Sequence, residues 1–352
     1  MNDLVIYGSY GYTGNLVAEA AVERGIEPAL AGRSREPLTE QARRVGRDYA
    51  VVGLDEPGRL DGLLDDAAAV LNCAGPFSRT AEPLVDACLR TETQYLDITG
   101  EIGVFETLHS RDSDASDAGV MLLPGVGFDV VPTDCLAAHL ADRLPDAHSL
   151  ELAFRAEHGV SRGTAKTMVE HVDSGGAVRR DGRIEQVPLA HETRTVDFGW
   201  GHDGEPATAI PWGDVSTAYH TTGIPNVTVY AAMSESAVRT QRLIGPLSSV
   251  LSLPPVKSAL QWYVERTMDG PDAEERATAH SYVWGEARDP DGERAVSRLR
   301  CPHGYAVTVE TALACTERVL GGDAPTGFQT PAGAYGPDLI LDVDGVERED
   351  VG

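Results

Sequence analysis

The chain has 352 residues, 42% of them hydrophobic, with 29 Lys and Arg against 55 Asp and Glu, a formal net charge of −26. That length and apolar content exclude a disordered chain and favour two domains. So much negative charge makes nucleic acid an unexpected partner, because its phosphates would be repelled. Five cysteines, an odd number without a C-x-x-C, point to neither a disulfide framework nor a zinc site, and ten scattered histidines lack ligand spacing, so no metal is expected. No apolar run reaches 18 residues and no charged-then-apolar leader precedes the first strand, so the expectation is a cytoplasmic protein with no transmembrane segment. Lys166 and Lys257 are its two lysines; the remaining positive charge is arginine. We read this acid excess as a halophilic surface, since molar salt shrinks the screening length to about 3 Å. An ordinary acidic protein from a GC-rich genome is the alternative.

Leu4 to Tyr7 reads as a short buried strand, Gly8 to Gly14 as a glycine-spaced turn, and Asn15 to Arg24 as a helix. Strands are then expected at 28–31, 49–52, 68–74, 94–98 and 120–123, with helices between them. Short apolar strands alternating with helices make a parallel sheet covered on both faces, and six strands complete a doubly wound dinucleotide fold by about residue 125. From there the pattern becomes α+β. Strands at 149–155, 184–189, 194–198 and 226–232, and a hairpin turned by Asp289-Pro290-Asp291-Gly292, suggest an antiparallel sheet. Helices are expected at 164–172, 237–251 and 256–268, and the stretches 305–320 and 330–341 are expected to return to the first domain. The fold class is therefore α/β: an N-terminal Rossmann doubly wound parallel sheet, a second α+β domain for substrate or dimerisation, and C-terminal return helices. The domain limits are 1–134 with about 303–352, and 135–302. Glu347 to Asp350, mostly charged, reads as a solvated end.

Gly8-x-x-Gly11-x-x-Gly14 can serve a dinucleotide. Gly8 permits the tight turn, Gly11 leaves room for a pyrophosphate at the helix N-terminus, and Gly14 lets the helix pack closely. Ser9, Tyr12 and Thr13 complete that candidate loop. An NAD site usually places Asp or Glu at the end of the second strand. This chain has Gly32-Arg33-Ser34, where Arg33 and Ser34 can bond a 2′-phosphate, so NADP(H) is expected and NAD(H) is the alternative. Asn72, Cys73, Ala74, Gly75, Pro76 and Phe77 sit at the carboxyl end of the fourth strand, where cofactors bind in such sheets; an ordinary strand-ending turn is the competing reading. Tyr95 and Asp97 at the end of the fifth strand, with Thr99 and Glu101 just beyond it, lie at the same edge, and either Thr99 or Glu101 can equally be a helix cap. Pro124 to Asp134 suits a crossover, with Asp129 a candidate cleft residue. Lys166, in Arg162-Gly163-Thr164-Ala165-Lys166-Thr167, is a candidate proton donor or anion binder. The uncharged interval Leu243 to Val256 suits buried or dimer helices, an apolar substrate channel, or a lipid contact.

The segments GSYGYTG (8–14), AGRS (31–34), NCAGPF (72–77), YLDITGE (95–101), PGVGFDVVPTD (124–134), GTAKT (163–167) and QTPAGAYG (329–336) resemble the saccharopine dehydrogenase-like oxidoreductases. The branch most similar contains the trans-acting enoyl reductases. The resemblance implies a nicotinamide cofactor, a catalytic α+β domain and C-terminal return helices. GTAKT departs from the Gly-Gly-Thr form of that position. Two enzyme readings follow: an NADP(H)-dependent reductase of a C=C or C=N bond in a hydrophobic, lipid-like small molecule, with Tyr95, Asp97 and Lys166 as catalytic candidates, or a saccharopine-type amino-acid dehydrogenase needing arginines such as Arg155 and Arg162. A non-catalytic dinucleotide-binding scaffold is the third reading. A homodimer is expected.

Overall fold

The computed structural model describes residues 3–157, 175–234, 236–238, 254–267 and 271–351. The chain divides into two units, Met1–Phe128 with Val307–Ala334, and Asp129–Ala306 with Tyr335–Gly352.

The first unit is built on β1 (Leu4–Tyr7), β2 (Ala29–Gly32), β3 (Tyr49–Val51), β4 (Ala69–Asn72), β5 (Gln94–Asp97), β6 (Met121–Leu123) and, from late in the chain, β15 (Gly327–Phe328). Their order is β15-β6-β5-β4-β1-β2-β3, with every neighbouring pair parallel. The helices between them are α1 (Tyr12–Glu23), α2 (Arg35–Val45), α3 (Pro57–Leu64), α4 (Phe77–Thr91), α5 (Ile102–His109) and α6 (Asp112–Asp117). Central strands with helices on both faces must be apolar throughout, and β1 and β4 are buried at every position. Strand order reverses at β1, whose neighbours are β2 and β4, so the carboxyl ends of β1, β2 and β4 flank a switch point, the place where such sheets bind ligands. The expected doubly wound sheet is present; sequence reading missed β15, which adds a seventh strand beside β6.

The second unit holds α7 (Val131–Arg143) and a mixed sheet of β7 (Ser149–Ala156), β8 (Gly176–Arg180), β9 (Arg183–Val187), β10 (Thr193–Val196), β11 (Glu205–Ala209), β12 (Asn226–Ala232), β13 (His280–Arg288), β14 (Arg294–Pro302) and β16 (Glu347–Val351). The main path runs β10-β11-β12-β7-β13-β14-β16, and β8 pairs with both β12 and β9. Two expectations are corrected here. The sheet is not wholly antiparallel, because β12 lies parallel to β7, joined by a long crossover that carries a helix, Asp214–Thr222. Nor do Glu347 to Asp350 form a free end. They belong to β16, which pairs antiparallel with β14 and places Glu347 opposite Arg300 and Glu349 opposite Arg298. The charges that suggested a solvated tail are the cross-strand partners of arginines. Tyr335–Gly352 accordingly lies in the second unit, while Val307–Ala334 lies in the first.

Candidate dinucleotide site

The turn after β1 is set by hydrogen bonds and by absent side chains. Gly8 N–H donates to the Ala31 carbonyl at 2.8 Å and Gly11 N–H to the Gly8 carbonyl at 3.0 Å. Gly8 has φ 77°, and a Cβ there would stand 2.8 Å from the backbone N and Cα of Ala74. A Cβ on Gly14 would collide with the Gly8 carbonyl oxygen, so glycine here lets α1 pack against the turn. Gly11 is less constrained by the fold, the Gly8 carbonyl lying 3.3 Å from where its Cβ would be. It is the N-cap of α1, with no side-chain cap and no acidic residue in the first turn. A helix N-terminus is a favourable place for an anion, and Tyr12 and Thr13 stand half-buried there. Ser9, a candidate cofactor contact, is fully buried and its hydroxyl donates to Gln41 Oε1 at 2.8 Å.

At the end of β2, Arg33 is exposed and makes no ion pair among the described residues. Ser34 is the N-cap of α2, and its hydroxyl makes no cap hydrogen bond. An exposed arginine, an N-cap serine without a cap bond and a helix N-terminus thus follow one another where β2 ends, residue types that can bond a phosphate monoester.

The loops after β4 and β5 are locked together. Asn72 Nδ2 donates to Thr80 Oγ1 at 3.1 Å and to the Tyr95 hydroxyl at 3.2 Å, while its Oδ1 accepts from Ala74 N–H at 3.0 Å. The Tyr95 hydroxyl donates to Asp97 Oδ2 at 2.8 Å. Asp97 Oδ1 accepts from Thr99 N–H at 2.9 Å and Gly125 N–H at 3.0 Å. Glu101 reaches back 24 residues to accept from Phe77 N–H at 2.7 Å, and from Ser78 N–H at 3.0 Å, capping α4 with a charge suited to a helix N-terminus. Thr99 Oγ1 in turn accepts from Glu101 N–H at 3.0 Å, a local turn just before α5; the expected side-chain cap of α5 is not made, Glu101 being its N-cap residue without one. Asn72 is fully buried, Cys73, Ala74, Pro76 and Phe77 are half-buried, and Gly75 is exposed. Burial pushes the Cys73 thiol up to about 12, with the Asp97 charge adding to it.

Tyr95 and Asp97 are both fully buried. Burial first, then the Asp97 charge, holds the Tyr95 hydroxyl well above its ordinary range. Burial also raises the Asp97 carboxyl from 3.8 to about 6, against the backbone donors at Thr99 and Gly125. A folded carboxyl that binds its proton more tightly than the unfolded one stabilises the fold at low pH, and that contribution is lost as pH rises from about 4 to about 6. Two pKa units correspond to about 3 kcal/mol. Asp97→Asn should therefore gain on the wild type by that order between pH 4 and pH 7, measured by urea unfolding at each pH. A constant difference would mean that Asp97 titrates normally.

Lys166 and Arg162 lie outside the described residues, as does most of the uncharged 243–256 interval. In the second unit, burial raises the Asp129 carboxyl to about 6, and the Asp129 carbonyl accepts from Trp212 Nε1 at 2.8 Å. Asp134 is fully buried and accepts from Thr221 Oγ1 at 2.5 Å. Sequence reading missed Gln41, Thr80 and Gly125 as parts of this region, and the cross-helix role of Glu101. The cross-element partners of Gln41, Gly125 and Glu101 are 23 or more residues away, so no local spacing marks them.

A parallel doubly wound sheet with a glycine turn at its switch point is the architecture of a dinucleotide-binding unit. Its particular kind is given by comparison: residues 4–123 match the saccharopine dehydrogenase NADP binding domain. Residues 4–123 thus carry the sequence pattern of a saccharopine dehydrogenase-type NADP-binding domain, and NADP(H) is the cofactor that this match supports. The chain is 36% identical over 160 residues to a trans-acting enoyl reductase of Mycobacterium leprae, an alignment covering 43% of this chain and 38% of that protein. It is 32% identical over 151 residues to a saccharopine dehydrogenase-like oxidoreductase of Homo sapiens, covering 37% and 35%. The chain thus spans little more than a third of the length of these curated relatives. Its fold matches apo saccharopine dehydrogenase (L-Glu forming) from Saccharomyces cerevisiae over 100% of both chains, with a TM-score of 0.66 and 12% identity. Among the described residues, no helix is long and apolar enough to cross a membrane.

Proposed function

We propose that the chain is an NADP(H)-dependent reductase delivering hydride to a C=C or C=N bond of a hydrophobic small molecule. The observation that carries the cofactor half is the free Arg33 beside the uncapped Ser34. The nicotinamide end would lie along Asn72–Phe77, with Gly8, Gly11 and Gly14 at the pyrophosphate. Within this reading Tyr95 and Asp97 hold the loops in place, because a buried tyrosine already donating to Asp97 is poorly placed to give a proton to substrate. Lys166 or a water is the proton source we favour. NADP(H) supplies the hydride when bound, and the protein orients it and excludes competing protons.

The enoyl substrate is favoured over an amino-acid adduct by the state of Arg155. A carboxylate-binding arginine must be available, whereas Arg155 Nε is held by Glu205 at 2.9 Å and Nη1 lies 3.4 Å from Glu157. The M. leprae relative, named as an enoyl reductase, supports the same choice. The test is NADPH consumption with trans-2-enoyl thioesters of increasing chain length, set against an imine-forming pair of amino acid and 2-oxo acid. Turnover of long enoyl thioesters is expected. Turnover confined to the imine pair would establish the saccharopine-type reading instead, and tight NADPH binding without any turnover would leave the scaffold.

The charge of −26 supports a halophilic, cytoplasmic setting within this proposal. Dilution from molar salt into low-salt buffer should unfold the protein, followed by circular dichroism, because carboxylate repulsion is then unscreened. Equal stability without salt would remove the halophile reading. A homodimer is the expected assembly, checked by light scattering in the same salt.

A further inference from the structure

Gln41 is a buried polar side chain that joins the two anion sites of the first unit. It is 2% exposed, on the inner face of α2 between the buried Leu38 and Ala42. Its Oε1 accepts the Ser9 hydroxyl at 2.8 Å. Its Nε2 donates to the Ser9 carbonyl at 2.7 Å and to Asn15 Oδ1 at 3.1 Å. Asn15 is on α1, and its Oδ1 also accepts from Arg44 Nη2, one turn further along α2. One amide thus ties α2 to both the glycine turn and α1.

The consequence lies at the other end of α2. Arg33 and Ser34 precede the helix, and seven residues of helix place Gln41 about 10 Å from them. Apolar contacts such as those of Leu38 and Ala42 are non-directional and tolerate a helix sliding or rolling. Hydrogen bonds to a fixed turn do not. A ligand with both a pyrophosphate and a 2′-phosphate must match the spacing of the turn and the start of α2. A ligand with one of them is indifferent to it.

We propose that Gln41 is a positioning residue that sets the spacing between the pyrophosphate turn and the 2′-phosphate end of α2, and so fixes the preference for NADP(H) over NAD(H). The proposal rests on Arg33 and Ser34 taking the 2′-phosphate. It does not depend on which substrate is reduced.

The test uses the full chain in high salt, with Gln41→Leu and the milder Ser9→Ala, which keeps the Gln41 bonds to the Ser9 carbonyl and Asn15. NADPH, NADH and 2′-AMP are titrated against each, alongside thermal melts. In Gln41→Leu, NADPH should weaken about tenfold while NADH and 2′-AMP stay within about threefold, the scale of one or two directed hydrogen bonds. Ser9→Ala should show a smaller loss confined to NADPH. Combined with Arg33→Ala, Gln41→Leu should cost no further NADPH affinity, since coupled groups are not additive. Equal weakening of NADPH and NADH would reduce Gln41 to a brace of the turn and overturn the proposal, as would unchanged NADPH binding. If Gln41→Leu does not fold, Ser9→Ala decides, and an unaltered ratio of NADPH to NADH affinity overturns it. A wild-type protein that binds both cofactors equally would instead refute the 2′-phosphate site itself, before any variant is made, and the proposal with it.

Discussion

Gly8→Ala is expected to destabilise the chain by about 2–5 kcal/mol, the sum of a left-handed backbone conformation and an overpacked contact. The two costs have separate sources. At φ 77° an alanine Cβ is strained wherever it points. Here it also points at the backbone of Ala74, 2.8 Å away, which cannot rotate aside as a side chain could. Ala74 follows β4, and β4 pairs with β1 through Tyr7 and Asn72, so the clash pries apart two central strands at the ligand edge. Gly25→Ala is the matched control. Its φ is 78°, and nothing lies within 4 Å of an added Cβ. It should cost about 1–2 kcal/mol, from the backbone alone. Chemical denaturation of both variants measures the difference, and Gly8→Ala should also lose cofactor binding. Equal losses in the two would show that the Ala74 contact relaxes freely.

Arg33→Ala should weaken NADPH about 10- to 100-fold, because a hydrogen bond to a charged group contributes about 1.5–3 kcal/mol and 1.4 kcal/mol is a factor of ten. NADH, which lacks the 2′-phosphate, should change little. The measurement is nicotinamide fluorescence titration at one fixed salt concentration, since screening weakens an exposed ion pair at high salt. A wild-type preference for NADH would overturn the role assigned to Arg33. Unlike the glycine substitution, this one should leave stability nearly unchanged, because Arg33 is exposed and free of ion pairs among the described residues.

The two variants mark the boundary between local and distant information. Gly8, Gly14 and Arg33 could be singled out in the sequence because their roles depend on near neighbours: a strand, a turn and a helix in succession. The hairpin at Asp289–Gly292 was legible for the same reason. Glu293 N–H bonds to Asp289 Oδ1 at 2.8 Å across the turn, and Gly292 takes φ 92°. By contrast, the strand β16 was read as a charged tail, because its partner arginines lie on β14, about fifty residues earlier. Tyr95 could be named a catalytic candidate from its place at the strand edge, but its burial and its bond to Asp97 are set by the fold.

The sequence by itself determined the doubly wound sheet and the glycine turn, since each follows from residue periodicity or from conformations few residues can adopt. The tertiary structure alone decided which polar side chains meet. Gln41 turns inward to hold Ser9, Glu101 crosses to cap α4, and Asp97 gathers the backbone of two loops. Hydrogen bonds are short and directional, so their partners are set by how strands and helices are brought side by side, and spacing along the chain carries no record of that.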